Sequence, residues 1–298
     1  MSESITNPLE YYPAHGPITD PGEGAALFKK LPTDVRELCE IVQGQILHLH
    51  WVERYGVEVT EEGQKEANLR FVSKQLERIM ASADTPLSKS RPVEERIMGT
   101  CRDFSTFLCA LLRSQGRPAR ARCGFGAYFT PGQYEDHWIC EYWKADENRW
   151  VMVDAQLDEF QCKELGVTFD PRDVPADQFI IAGKAWQSCR SGQADQDQFG
   201  IFDMHGWWFI QGNLIRDLAS LNKVELLPWD VWGCMRAEDQ DLSKEDMELM
   251  DRAAALTLSD NSAFSEVRSF YLNDDRLKVP SIITSHTDTG TLSVDLKF

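Results

Sequence analysis

Cys101, His137 and Asp154 stand in the order that a thiol nucleophile, its base and an orienting carboxylate require. Cys101 opens an apolar run in Gly99-Thr100-Cys101-Arg102-Asp103-Phe104-Ser105, His137 lies in Asp136-His137-Trp138, and Asp154 closes Val151-Met152-Val153-Asp154. A thiol is a modest nucleophile at neutral pH because its pKa is about 8.5. A helix N-terminus favours the thiolate through its unpaired N–H groups and its dipole. A histidine in reach accepts the proton and pairs with the sulfur. A carboxylate on the other ring nitrogen sets the tautomer and stabilises the imidazolium. Each residue also has an ordinary reading: a structural thiol like Cys109, a satisfied strand histidine, and an aspartate making a strand-end turn.

The elements that would position these residues follow from periodicity. Phe104, Phe107, Leu108, Leu111 and Leu112 recur at helical spacing, and Gly116 and Pro118 stop the pattern, which predicts a helix over 101–115. Residues 117–129 read as strand, 130–133 as a turn, and 137–143 as an alternating strand. Asp146-Glu147-Asn148 makes a hairpin turn, and Arg149 to Asp154 is the returning strand. A hairpin of this kind lays Asp154 across from the strand of His137.

Gly-Thr-Cys-Arg-Asp-Phe, the apolar helix ending Leu-Leu-Arg-Ser-Gln-Gly-Arg-Pro-Ala-Arg, Asp-His-Trp-Ile-Cys-Glu-Tyr-Trp and Trp-Val-Met-Val-Asp together resemble the core of the transglutaminase-like superfamily. The resemblance covers about residues 95–160. It implies a papain-like α+β fold, with a central helix led by the cysteine and packed on an antiparallel sheet. It also implies a Cys101–His137–Asp154 triad working through a thioester. The proline-threonine usual after the aspartate is Ala155-Gln156 here, and the sequence shows neither a calcium-binding loop nor flanking immunoglobulin-like strands. A calcium-dependent crosslinking enzyme is therefore not expected. The Cys101 backbone N–H is a natural oxyanion donor, with Trp51, Gln64 and Gln75 as side-chain candidates for a second.

Around this core the sequence predicts an extended N-terminal arm (1–26) without regular structure, rich in proline and pinned by Tyr11 and Tyr12. The catalytic core with its N-terminal helices spans 27–165, and a mostly helical elaboration packed on it spans 166–298. One helix is expected from a Thr33 cap to Tyr55-Gly56, another over Glu61–Met80, and a polar connector over 87–99. Further helices are read over 180–189, 213–223, 243–256 and 264–271, followed by a polar tail. His48 and His50 would point about 200° apart on a helix, which argues against a shared metal ion. No CxxC pair suggests zinc. Neither a metal nor another cofactor is expected.

With 31 basic and 48 acidic residues the net charge is −17, which disfavours nucleic acid and anionic membranes as partners. No apolar run is long enough to span a bilayer. The N-terminus lacks a basic and apolar leader, so the eight cysteines read as reduced thiols in a cytoplasmic protein. The expected partner is a peptide, amide or other acyl substrate, bound near Trp138, His205, Trp207 and Trp208, whose aromatic surface suits an apolar moiety. Hydrolysis of a peptide or amide bond is the leading expectation. An amine acceptor (transglutaminase-type or other amide-forming transfer) and a non-catalytic binding protein on the same fold are the alternatives, and the oligomeric state is left open.

Overall fold

The computed structural model describes residues 6–82, 85–238 and 240–298. Two compact units account for them. The cysteine unit comprises Tyr12–Ala121 and Ile139–Val174; the histidine unit comprises Arg122–Trp138, Pro175–Phe298 and the N-terminal residues through Tyr11. The whole is mixed α+β.

The N-terminal segment is folded, where an extended arm was expected. Helix α1 (Pro8–Tyr11) begins on a proline, whose missing N–H costs nothing at a first helical position. Within the histidine unit, the Tyr11 hydroxyl accepts from Arg268 Nη1 at 2.8 Å, and Lys223 Nζ lies 3.7 Å from the ring centroid. In the cysteine unit, Tyr12 and Ile18 are buried and Gly22–Phe28 forms a 3-10 helix. Arg113 Nη1 donates to Thr19 Oγ1 at 2.6 Å. Prolines at every fourth or fifth position block a long helix, but the large apolar side chains between them still have surface to bury.

Helix α2 (Val35–Gln43) is capped by Asp34, not Thr33: the Asp34 carboxylate accepts from the backbone N–H groups of Arg36 and Glu37. It stops at Gly44, far short of Tyr55. A Cβ at Gly44 would lie 2.9 Å from the Ser90 backbone, so this position admits a close crossing. Beyond it, β1 (Ile46–His48) pairs in parallel with β2 (Ile97–Gly99), which lies inside the expected polar connector. A 3-10 helix (Leu49–Tyr55) follows. The two histidines are thus not on one α-helix. His48 Nδ1 accepts from the His50 backbone N–H at 3.2 Å, and no metal-ligating cluster occurs among the described residues.

The expected helix over 61–80 is two helices, α3 (Glu61–Glu66) and α4 (Val72–Ser82). The break frees the Leu69 and Arg70 carbonyls, which are used at the site below, and lets Val72 N–H donate to Ile18 O at 2.9 Å. Tertiary bonding overrides the helical periodicity here. Helix α5 (Cys101–Ser114) then runs as predicted, with Gly116 at φ +72° behind it.

Strand β3 (Ala119–Gly126) and strand β4 (Tyr134–Lys144) each contribute residues to both units. In the cysteine unit the far half of β4 pairs antiparallel with β5 (Arg149–Val153), Cys140 opposite Val153. Cys109 of α5 and Cys140 of β4 lie Sγ to Sγ at 3.3 Å, so the helix rests on this strand. Helix α6 (Glu159–Leu165) completes the unit.

The histidine unit orders its strands β6-β3-β4-β7-β8, where β6 is Phe179–Ile181, β7 Phe199–Ile201 and β8 Met204–His205. Helix α7 (Ala182–Arg190) follows β6 directly. Helix α8 (Trp207–Leu221) absorbs both Gly206–Ile210 and the helix predicted after it, starting behind Gly206 at φ +102°. Helices α9 (Lys244–Thr257) and α10 (Phe264–Leu272) agree with their periodicity, α9 with the Ser243/Asp246 capping box. The polar tail is a correction: β10 (Ile282–Thr287) and β11 (Gly290–Asp295) form a hairpin beside the short β9 (Asp230–Val231). Its β-branched residues were the available signal.

Gly124 has a specific steric role. In the β3–β6 pairing a Cβ there would fall 2.4 Å from Ile180 O and 2.9 Å from Phe179 Cζ. Gly124→Ala is expected to destabilise the protein by about 1–3 kcal/mol through overpacking. Urea unfolding measures this, and an unchanged midpoint would contradict the close β3–β6 approach.

Candidate active site

Cys101 is the first residue of α5 and is 6% exposed. The helix start is fixed by its own third residue. Asp103 Oδ2 accepts from the Thr100 backbone N–H at 2.7 Å and the Thr100 hydroxyl at 3.1 Å. Asp103 Oδ1 accepts from Gln75 Nε2 at 2.8 Å and Arg102 Nη1 at 2.7 Å. Arg102 Nη2 in turn donates to Arg70 O at 2.5 Å. The charges of Arg102 and Asp103 suggest residues that cap and solvate the helix; Asp103 does cap it, but both are buried and mutually neutralised. Gln75 spends its amide N–H groups on Asp103 and on Leu69 O, which removes it as an oxyanion donor. The sequence offered no signal for this network, because its members come from the α3–α4 break, α4 and α5.

Asp154 belongs to the same unit and follows the last residue of β5. It is 1% exposed, its N–H donates to Pro171 O at 2.8 Å, and its Oδ1 accepts from Gln156 N–H at 3.0 Å. The strand-end turn foreseen as its ordinary reading is present. A cavity of about 820 Å³ in this unit also has Asp154 in its wall, with Cys39, Gln43, Leu157, Cys162 and Arg172.

His137 lies in the histidine unit on β4 and is buried. Three aromatic rings surround its imidazole in tilted or edge-on contact: Phe129 at 4.9 Å, Tyr128 at 5.9 Å and Phe179 at 6.2 Å between centroids. The preceding Asp136 points to the other side of the strand, as alternation requires. There Asn213 Nδ2 donates to its Oδ1 at 2.7 Å. Burial pushes the Asp136 carboxyl above its ordinary value, while Arg216, the Asn213 amide and His137 pull it down.

The remaining sequence candidates also lie in the histidine unit. Trp138 is buried at 1% exposure. His205 sits on β8 with Nε2 2.6 Å from Phe202 O. Trp207 and Trp208 are half-buried at the head of α8, Trp207 edge-on to Trp186 at 5.0 Å and Trp208 edge-on to Phe209 at 5.3 Å.

Burial pushes Cys39 up to about 12, with Asp154 adding to the rise, and it pushes Cys162, Cys189 and Cys234 up to about 11. Cys140 is raised too, by burial and then by Cys109. None of the eight cysteines forms a disulfide. No helix among the described residues is long and apolar enough to cross a membrane.

Residues 55–155, about a third of the chain, match the model of the transglutaminase-like superfamily. That span begins in the 3-10 helix before α3 and ends one residue past Asp154, so it contains Cys101, His137 and Asp154. The superfamily is one of cysteine-dependent acyl transfer and hydrolysis. No curated protein and no solved structure matches the chain.

Proposed function

We propose that the protein is a cysteine-dependent acyl-transfer enzyme on a papain-like core, with Cys101 as nucleophile, His137 as base and Asp154 as the carboxylate that orients it. The observation that carries this reading is Cys101 as first residue of a fourteen-residue helix whose start is held by a buried, fully bonded Asp103. The dipole of such a helix start favours negative charge on sulfur. The aromatic enclosure of His137 and the position of Asp154 just past β5 support the other two roles.

In this mechanism His137 takes the Cys101 proton and the thiolate attacks an amide carbonyl. The tetrahedral adduct collapses to a thioester as His137 returns the proton to the leaving amine. Water, deprotonated by His137, then releases the acid. Hydrolysis of a peptide or amide is the preferred outcome, since it needs only water as second substrate; an amine entering the same thioester would give amide transfer. Trp207, Trp208 and His205 are proposed to contact the substrate, with Trp138 assigned alongside them for its place next to His137. The free thiols favour a cytoplasmic setting.

The test is intact-mass detection of an acyl adduct on the protein during incubation with a panel of peptide amides and thioesters, with hydroxylamine added as a trapping nucleophile. The expected result is an adduct at Cys101, hydroxamate release, and neither in Cys101→Ala. The raised thiols of Cys39, Cys162, Cys189 and Cys234 are poor competitors near neutral pH. An equal adduct in Cys101→Ala would overturn the nucleophile assignment.

A further inference from the structure

The strand that carries His137 is held at one point by a side chain from α8. Strand β4 pairs with β7 at Tyr134 and Glu135, opposite Phe199 and Gly200, two residues before His137. Asn213 bonds to the residue between, Asp136. Its Nδ2 donates to Asp136 Oδ1 at 2.7 Å and to Gly124 O of β3 at 3.3 Å, bridging two neighbouring strands. Its Oδ1 accepts from Arg216 Nη1 at 3.3 Å, and Arg216 Nη2 donates to Asp230 O at 3.1 Å. Asn213, 1% exposed, thus has both ends of its amide committed.

The same β3 segment also sets the other face of β4. Gly124 and Gly126 pair with Ile181 and Phe179 of β6, and the Phe179 ring is part of the wall around the His137 imidazole. A staple on Gly124 and Asp136 therefore fixes the backbone on which both the imidazole and one of its walls are mounted. The charged groups facing Asp136 are Arg216 from α8 and His137 on its own strand.

We propose that Asn213 and Asp136 are positioning residues for His137, Asn213 stapling β3 to β4 and Asp136 being the acceptor on β4 that the staple grips. The proposal rests on the reading of His137 as the base. Neither residue touches substrate; both act through the placement of His137.

The test uses the full chain and measures the rate of Cys101 alkylation by iodoacetamide, followed by intact mass, from acid to alkaline pH. Asn213→Ala and Asp136→Ala each remove one end of the staple; Asp136→Asn keeps an oxygen to accept from Asn213. In the natural protein the rate is expected to persist into mildly acid solution. Asn213→Ala and Asp136→Ala are expected to lose about three- to tenfold at about pH 6, where the thiolate needs a well-placed His137, and little at about pH 9, where it forms without help. Asp136→Asn is expected to keep most of the rate. A general loss of structure would lower the rate equally at both pH values, and that result, or an Asn213→Ala profile superimposable on the natural one, would overturn the inference. An ordinary thiol profile already present in the natural protein would overturn the triad itself, and the positioning role with it.

Discussion

Replacing Asp103 with alanine is expected to destabilise the cysteine unit by about 3–5 kcal/mol, the range for removing one partner of a buried ion pair. The side chains of Arg102 and Asp103 are 0% and 2% exposed, so solvent screens neither. Loss of the carboxylate leaves the buried Arg102 guanidinium without its counter-charge, although it still donates to the Leu69 and Arg70 carbonyls. It also leaves Gln75 Nε2 and the Thr100 N–H short of an acceptor. Urea unfolding followed by tryptophan fluorescence measures the change. Asp103→Asn, which keeps the shape and one carbonyl acceptor, is expected to lose less. A midpoint unchanged by Asp103→Ala would show that the network does not hold the start of α5, and the local argument for an activated Cys101 would go with it.

The second large effect is chemical. Once a turnover assay is set on a peptide amide that acylates the protein, Cys101→Ala is expected to reduce kcat by about 10⁴- to 10⁶-fold, as loss of a nucleophile does in triad enzymes. Stability should fall by no more than about 1–2 kcal/mol, since the change removes one sulfur atom from a buried site. His137→Ala is expected to approach the same floor, because nucleophile and base act as one device and their losses do not add. Substantial turnover in Cys101→Ala at unchanged protein concentration would place the chemistry elsewhere.

These expectations differ in how far the sequence alone reaches them. Helix α5, the β4–β5 hairpin and the order Cys101, His137, Asp154 were legible because each is local: apolar period, turn residues and strand alternation lie within a dozen residues of one another. Helices α9 and α10 were legible for the same reason. The errors came where a distant segment overrides local preference. Gly44 ends α2 because Ser90 crosses there, and residues 67–71 leave the helix because their carbonyls serve Arg102 and Gln75. A parallel pair such as β1–β2 joins residues fifty positions apart and leaves no periodic trace in three-residue strands.

The supporting residues of the site were the least visible. Asp103 reads as an N-terminal acid suited to any helix dipole, and only the fold shows it buried with four donors. Asn213 sits 77 residues from Asp136, one of several polar residues in α8, where nothing in spacing marks it. Asp136 reads in the sequence only as the neighbour of His137. Side chains that meet the reacting groups are announced by type and context. Those that hold the reacting groups are announced by packing alone, which is why the proposed triad preceded its scaffold.

The most direct measurement of the central claim is the pH dependence of Cys101 alkylation in the natural protein and in His137→Gln, with labelling assigned by mass. A cysteine paired with His137 at a helix start should react at a rate that holds well below about pH 8.5, the range of an ordinary thiol. His137→Gln should move the whole profile up to that range. Identical profiles in the two proteins, both those of an ordinary thiol, would contradict the triad.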